Sequence, residues 1–247
     1  MDHQPLFASV AALALPYLQN YTRKIGADFY HYTQAPPDFR PRLRTSSSVN
    51  LFRLDLIHNL LQEYDRVLWV DADVIIRPDS PNIFELVPVD RIGMHEDCEV
   101  MFRHHDLNCC KGHHDAMVKV CQEDGLPVPD TKSRIMDTGV IVAGKAHSDL
   151  FLPAWNTAVS SDNPRHACEE MARVNVRLFN SKHKIFYLPE CFNRVLYFST
   201  ARPERCNYFI HYAGIEDHVR VNMMYEHINS WREEYPEWFQ GELKMSG

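Results

Sequence analysis

Tyr64-Asp65-Arg66-Val67-Leu68-Trp69-Val70-Asp71-Ala72-Asp73-Val74-Ile75-Ile76 is the stretch on which the reading of the whole chain turns. An apolar run, Val67 to Val70, ends in two carboxylates one residue apart. A second, Val74 to Ile76, follows before the turn signal Arg77-Pro78-Asp79. β-Branched and aromatic residues bounded by turn residues predict a fully buried strand. Carboxylates at the end of such a strand are costly to bury unless something pairs with them. Residues i and i+2 of a strand point the same way, so Asp71 and Asp73 are predicted to aim at one cation. Hard cations such as Mg²⁺ or Mn²⁺ take oxygen ligands and often fill their remaining positions with substrate phosphates. The competing reading, a solvated turn or a helix N-cap, fits poorly with so apolar a run ahead of the pair.

Working outward, residues 6–25 show roughly helical apolar spacing, with Pro16 expected to start or kink the helix and Gly26 to cap it. Phe29 to Tyr32 reads as a short strand, and Gln34 to Pro41 as a Pro-rich loop. Residues 47–63 have apolar positions at 51, 54, 57, 60 and 61, an amphipathic helix with serines before it as caps. Beyond the central stretch, Ile83 to Leu86 reads as a helical turn, Arg91 to His95 as a strand ending at Glu96-Asp97, and 98–115 as His- and Cys-rich without a clear period. Asp115 to Glu123, Asp149 to Ser160, Ala167 to Phe179 and Asn222 to Glu234 are expected helices. Ile135 to Ala143, Lys184 to Leu188 and Tyr208 to Tyr212 are expected strands. Strands alternating with helices predict an α/β fold with a largely parallel sheet.

The 247 residues suit one large α/β domain or two small ones, and no linker divides the chain, so a single domain over 1–247 is expected. Hydrophobic content of 45% and charged content of 24% place it among ordinary globular proteins. A net charge of −7 argues against nucleic acid as the main partner, since phosphate backbones demand basic patches. The seven cysteines are odd in number and form no CxxC pair, which argues against structural zinc. Val10 to Leu15 is too short to span a membrane and ends at Pro16, and no signal peptide is visible. A reduced, cytoplasmic protein, at most peripheral to a membrane, is the expectation.

Tyr64 to Pro78, YDRVLWVDADVIIRP, resembles the DxD region of retaining GT-A glycosyltransferases, closest to the galactosyl-, mannosyl- and xylosyltransferase group and related to glycogenin-like enzymes. Further segments agree in order. Asn20 to Tyr32 is similar to the family's first helix and second strand, and Arg53-Leu54-Asp55 to its donor-binding arginine helix. Met136-Asp137-Thr138-Gly139-Val140 resembles the N-x-G-V strand. Leu188 to Asn193 resembles an LP-x-x-F-N segment, and His211-Tyr212-Ala213-Gly214 resembles the H-x-x-G motif. The resemblance covers roughly residues 20–214. It implies a GT-A, Rossmann-like sandwich with a central, mostly parallel sheet flanked by helices. It also implies a metal ion, Mn²⁺ or Mg²⁺, and a nucleotide-sugar donor, UDP favoured, with a glycan, lipid-linked or protein acceptor.

Residue by residue, the resemblance makes Asp71, Asp73 and His211 the metal ligands, with Asp71 also toward the ribose. Imidazole beside carboxylates suits Mn²⁺. Without the resemblance, His211 reads as a core histidine among aromatics. Arg53, Ala72, Gly139 and Gly214 would line the nucleotide-sugar site. Asp137 would face the donor sugar, or else cap a turn at Thr138-Gly139. Glu169 and Glu170 fall near the reacting carbon, or on a solvated helix face, and Glu96 and Asp97 near sugar hydroxyls. The stretch containing His104, His105, Cys109, Cys110, His113 and His114 fits an acceptor-side loop better than a zinc site. Two departures stand out. The lysine of H-x-x-G-x-x-K is replaced by Asp217, leaving Arg220 or His218 for the diphosphate, and little sequence precedes the first helix. Two rival readings remain. A nucleotidyltransferase would carry a Gly-rich basic loop, absent here. The other rival is a non-catalytic sugar-nucleotide-binding relative.

Overall fold

The structure, a computed structural model, describes residues 4–33, 46–96, 107–129, 134–152, 169–196 and 207–239, with backbone alone at 4–7, 46–50, 107–111 and 169. The chain folds into two compact units. The first comprises Met1–Phe29, Val70–Asn82 and Pro189–Gly247. The second comprises Tyr30–Trp69 and Ile83–Leu188.

The first unit opens with helix α1, Gln4–Ile25. Val10, Ala14, Tyr17 and Tyr21 recur every three or four residues and are buried, the stripe of an amphipathic helix. Pro16 is accommodated inside the helix. It lies on the exposed face with Ala12, where water can take the carbonyl that the missing N–H leaves unmatched. Gly26 ends the helix at φ +69°, with Ala27 N donating to Thr22 O at 2.9 Å, as expected of a left-handed cap. The helix lies on a three-stranded sheet of β2 (Val74–Ile76), β7 (Phe209–His211) and β6 (Arg194–Val195), in the order β2-β7-β6. β2 is antiparallel to β7, with Val74 opposite His211, and β6 is parallel to β7. The last α-helix among the described residues, Asp217–Glu234, packs on α1 and supplies Met224, Ile228 and Trp231 to a core shared with Ile75, Ile210 and Tyr212.

The second unit holds a four-stranded sheet, β1 (Arg66–Val70), β4 (Met136–Gly144), β3 (Arg91–Glu96) and β5 (Lys184–Tyr187), in the order β1-β4-β3-β5. β3 is antiparallel to β4 and parallel to β5. Its helices are α2 (Ser46–Glu63), the short α3 (Ile83–Leu86), α4 (Leu107–Asp124) and α5 (Glu169–Asn180), so the Asp217–Glu234 helix is α6. Leu51, Leu54, Ile57 and Leu61 of α2 pack with Ile92, Met94, Ile141, Val174 and Leu178. Gly93 allows β3 to approach its neighbours closely, since a Cβ there would lie 2.8 Å from Val87 Cγ2 and 3.2 Å from Val142 Cβ. Arg173, 1% exposed, ties α5 to the end of α4 through Glu123 (3.1 Å) and Asp124 (3.5 Å).

The fold is therefore mixed α/β, and the expected central, mostly parallel sheet is corrected: both sheets are mixed, and the apolar runs on either side of Asp71 enter different sheets. β1 is only partly buried, with Val67 its one buried residue, whereas β2 is fully buried. Phe29 to Tyr32 forms no strand; Tyr30 and Tyr32 are exposed and stack on each other with centroids 6.4 Å apart. The serines expected to cap α2 lie within its first turns, and α4 begins at Leu107, well before the expected Asp115. Of the expected helix 149–160, Asp149–Phe151 lies in a 3₁₀ turn, Lys145–Phe151, and 153–160 lie outside the described residues. No helix among the described residues is long and apolar enough to cross a membrane.

Candidate functional site

At Val70 the chain leaves β1 and makes a tight turn closed by Val74 N donating to Asp71 O at 3.1 Å. Asp71 and Asp73 therefore converge through a turn, not through strand alternation. A second bond, Tyr212 N to Asp73 O at 3.1 Å, pins the turn to the end of β7. With Val74 opposite His211 in the ladder, the histidine is brought beside Asp73. One ligand atom from each of Asp71, Asp73 and His211 lies within 4.8 Å of the others.

The surroundings complete a donor set suited to a cation. His211, 3% exposed, shares a 3.0 Å hydrogen bond between its Nδ1 and Asn193 Oδ1, and its Nε2 stands 3.4 Å from Asp73 Oδ1. An amide oxygen can only accept, so Nδ1 carries a proton. A neutral ring then turns its Nε2 lone pair toward a carboxylate. Two acceptors so placed need a cation between them, whether a proton on the ring or a metal ion. A histidine that donates from one nitrogen while presenting the other is the usual arrangement of a metal ligand. The residues fit Mn²⁺ or Mg²⁺, with Mn²⁺ favoured by the imidazole.

Asp73 is 9% exposed. Burial alone would raise its pKa, but His211 and the guanidinium of Arg220 outweigh burial and hold it below the ordinary carboxylate value. Arg220, at the start of α6, reaches Asp73 Oδ2 at 3.3 Å and Asp217 Oδ1 at 3.7 Å and donates to Ile215 O at 2.8 Å. Its Nε is buried with no hydrogen-bond partner among the described residues. His218 is exposed, 3.6 Å from Glu216. Gly214 adopts φ +67°, a turn conformation that favours glycine. Ala72 is half-buried in the acidic turn.

The other expected residues belong to the second unit. Arg53 of α2 donates to Thr138 O at 3.1 Å, lies 3.7 Å from Glu170 Oε2, and has its guanidinium 5.8 Å from the Trp69 ring centroid. Thr138 Oγ1 donates to Glu170 Oε2 at 3.2 Å, and Glu170 is 3% exposed. Glu170 is therefore buried and held, not on a solvated helix face. Asp137, 5% exposed, accepts from Gly139 N at 2.8 Å, the local turn bond foreseen as its alternative role. These residues sit in an irregular part of the sheet. Met94 pairs with Ile141 but Glu96 with Met136, so His95 alone stands opposite the run Asp137–Val140. Asn175 of α5 secures the edge of this bulge, donating to Met136 O at 2.9 Å and accepting from Met136 N at 2.7 Å.

Glu96 lies 3.6 Å from Arg134. Asp97, His104 and His105, with the side chains of Cys109, Cys110 and Glu169, lie outside the described residues. His113 and His114 are on α4 rather than a loop, His114 exposed and His113 buried. Asn193 carried no role of its own in the sequence, and His113 only that of the stretch expected to form an acceptor-side loop. Asn193 could have been found as the polar end of Leu188 to Asn193, whereas His113 gave no signal among four histidines.

The fold is similar to that of a solved glycosyltransferase involved in the glycosylation of the major capsid of PBCV-1, with a TM-score of 0.56 and 14% identity over 88% of this chain and 92% of that one. Mouse xyloside xylosyltransferase 1 in its apo form overlaps at a TM-score of 0.39 and 14% identity, covering 84% of this chain and 73% of that one. No protein-family model and no curated protein matches the chain. The chain thus shares its mixed α/β fold with a glycosyltransferase.

Proposed function

We propose that the chain is a metal-dependent glycosyltransferase of GT-A type that moves a sugar from a nucleoside diphosphate donor, UDP-linked by preference, to a hydroxyl of a glycan, lipid-linked or protein acceptor. The observation that carries this reading is the convergence of Asp71, Asp73 and His211, with Asn193 orienting the histidine. A bound Mn²⁺ or Mg²⁺ would supply electrostatic stabilisation of the charge that builds on the departing diphosphate. Asp71, Asp73 and His211 are the residues that would hold it. Arg220, with a buried Nε to spare, offers positive charge in place of the family's lysine. Asp137 and Glu170, together with Glu169 from the resemblance, are the carboxylates proposed for the sugar.

The resemblance favours retention at the anomeric carbon by a front-face route. The bond from that carbon to the leaving phosphate oxygen breaks as the acceptor oxygen bonds to the same face. The acceptor's proton passes to the leaving phosphate oxygen, so no protein nucleophile is required.

The test is calorimetry of UDP- and GDP-sugars with and without Mn²⁺, followed by turnover of whichever donor binds. Metal-dependent binding and sugar release are expected, and binding without turnover would mark a non-catalytic relative. Asp73→Ala should lower turnover at least about a hundredfold, the scale for removing one preorganised stabiliser. Near-normal turnover by that variant in EDTA would sink the metal reading. NMR of the product anomer decides retention, and an inverted product refutes it.

A further inference from the structure

Two buried histidines of the second unit, His95 opposite the Asp137–Val140 bulge and His113 under the charge of Asp137, each keep a ring nitrogen with no hydrogen-bond partner among the described residues: Nε2 of His95 and Nδ1 of His113. His95, 7% exposed, is the residue that faces the bulged run across the sheet. His113, 8% exposed, is on α4, close enough to Asp137 to feel its charge. One turn further along α4, Met117 packs with Ile135 and Ala172, each two residues from Asp137 and Glu170 respectively. The charge of Asp137 acts on His113, partly offsetting the lowering of its pKa by burial.

A buried polar atom left unmatched is costly, so two such nitrogens near one carboxylate call for a purpose. The chemistry narrows it. His95 Nδ1 lies 3.2 Å from the carbonyl of Leu188, which can only accept, so Nδ1 carries the proton and Nε2 presents a lone pair. The doubly esterified diphosphate of a nucleotide sugar has no proton to give to that lone pair at neutral pH, and the Asp137 carboxylate repels it. A hydroxyl donates and accepts at once. Several hydroxyls on one rigid ring suit a lone pair, a second imidazole nitrogen and a carboxylate together.

We propose that His95 and His113 are sugar-hydroxyl-binding residues that line the bulge with Asp137. The inference deepens the glycosyltransferase reading and rests on it. The sugar is that of the donor or of the acceptor, and both present the same hydroxyl chemistry.

The experiment uses the full chain with Mn²⁺ and four variants. His95→Leu and His113→Leu remove the ring nitrogens at similar volume. His95→Gln and His113→Asn return a polar atom near Nε2 and Nδ1 respectively. In the donor arm, calorimetry compares the best-bound member of a UDP- and GDP-sugar panel with its nucleoside diphosphate alone. In the acceptor arm, NMR titration follows methyl glycosides of glucose, galactose, mannose and xylose. The leucine variants should lose about tenfold in nucleotide-sugar affinity, the scale of one or two hydrogen bonds, with the nucleoside diphosphate bound as before. The amide variants should recover most of that loss. The same pattern confined to the methyl glycosides would assign the pair to the acceptor sugar. Leucine variants that bind every sugar like the wild type overturn the inference while leaving the enzyme reading intact, and mark the two nitrogens as water-bound. If the leucine variants do not fold, amide variants that bind sugars no better than Asp137→Ala overturn it as well. A wild-type chain that takes up neither nucleotide nor sugar overturns both readings.

Discussion

Asp73 and Glu170 are both buried carboxylates, one in each unit, and their surroundings differ in kind. Asp73 sits among charge, with an imidazole nitrogen at 3.4 Å, a guanidinium at 3.3 Å and Asp71 close by. Glu170 takes a hydroxyl hydrogen bond at 3.2 Å, and its arginine stands off at 3.7 Å. Two further neutral-type groups, the bare nitrogens of His95 and His113, lie at the adjoining bulge. The first arrangement suits a cation and a polyanion, because every ligand there is a full or potential charge. The second suits a neutral, hydroxyl-rich group, because its capacity is mostly hydrogen bonding. The contrast shows how differently two buried carboxylates of one chain can be compensated, one by charge and the other mainly by hydrogen bonding.

The largest effect should come from Asp73. Beyond its effect on turnover, Asp73→Ala leaves Arg220 and His211 buried without their carboxylate. Breaking a buried pair in this way costs about 3–5 kcal/mol, so a clear fall in melting temperature is expected. Glu170→Gln keeps the Thr138 hydrogen bond and should melt close to wild type. Equal losses in the two variants would erase the contrast.

Next comes Asn193→Ala. It removes the group that fixes the His211 tautomer while leaving all three ligands, and Mn²⁺ affinity should fall about 10–100-fold by calorimetry. Unchanged affinity would mean that the ladder alone orients the ring.

Acid titration separates the clusters more finely. Asp73 has a folded pKa below its unfolded value, so its stabilisation is present at neutral pH and is lost as pH falls through the folded value, below about 4. The stability gap between wild type and Asp73→Asn should therefore close under acid. His113 is also lowered, by burial against the opposing charge of Asp137. The unfolded chain then takes up the proton first, and stability declines as pH drops from about 6.5. His113→Leu should flatten the slope of denaturation midpoints between about pH 6.5 and 5. A slope that does not change would place another histidine, such as the similarly lowered His147, in charge of it.

Much of this was legible in the chain itself. The apolar runs at Val74 to Ile76 and Ile135 to Ala143 are strands because β-branched residues pack well on a buried pleated surface. The acidic turn and His211, expected to come together, do so, but for a different reason. Strand alternation was expected, whereas a turn closed by Asp71 O and a ladder to distant β7 bring the three together. No local pattern announces such a pairing, which is also why a mostly parallel sheet was expected where β2 runs against β7. Phe29 to Tyr32 has strand composition but forms no strand, and Tyr30 packs on Tyr32 and Tyr64 instead. Helix α4 was missed at its start because its apolar stripe, Met117, Val120 and Cys121, lies in its second half. A buried histidine in the polar first half, His113, looks the same in sequence as its exposed neighbour His114.

The division of the chain also sets an order of events during synthesis. Every residue of the second unit has been polymerised by Leu188, whereas the first unit needs Pro189 onward to supply β6, β7 and α6. At translation speeds of about 5–20 residues per second, Asp71 and Asp73 wait on the order of ten seconds for His211, Asn193 and Arg220 to be made. Through that interval Asp73 lacks both His211 and Arg220, and β2 is an apolar strand without its ladder. The nascent chain is thus most exposed to mispairing at the very segment that later brings Asp71 and Asp73 together with His211.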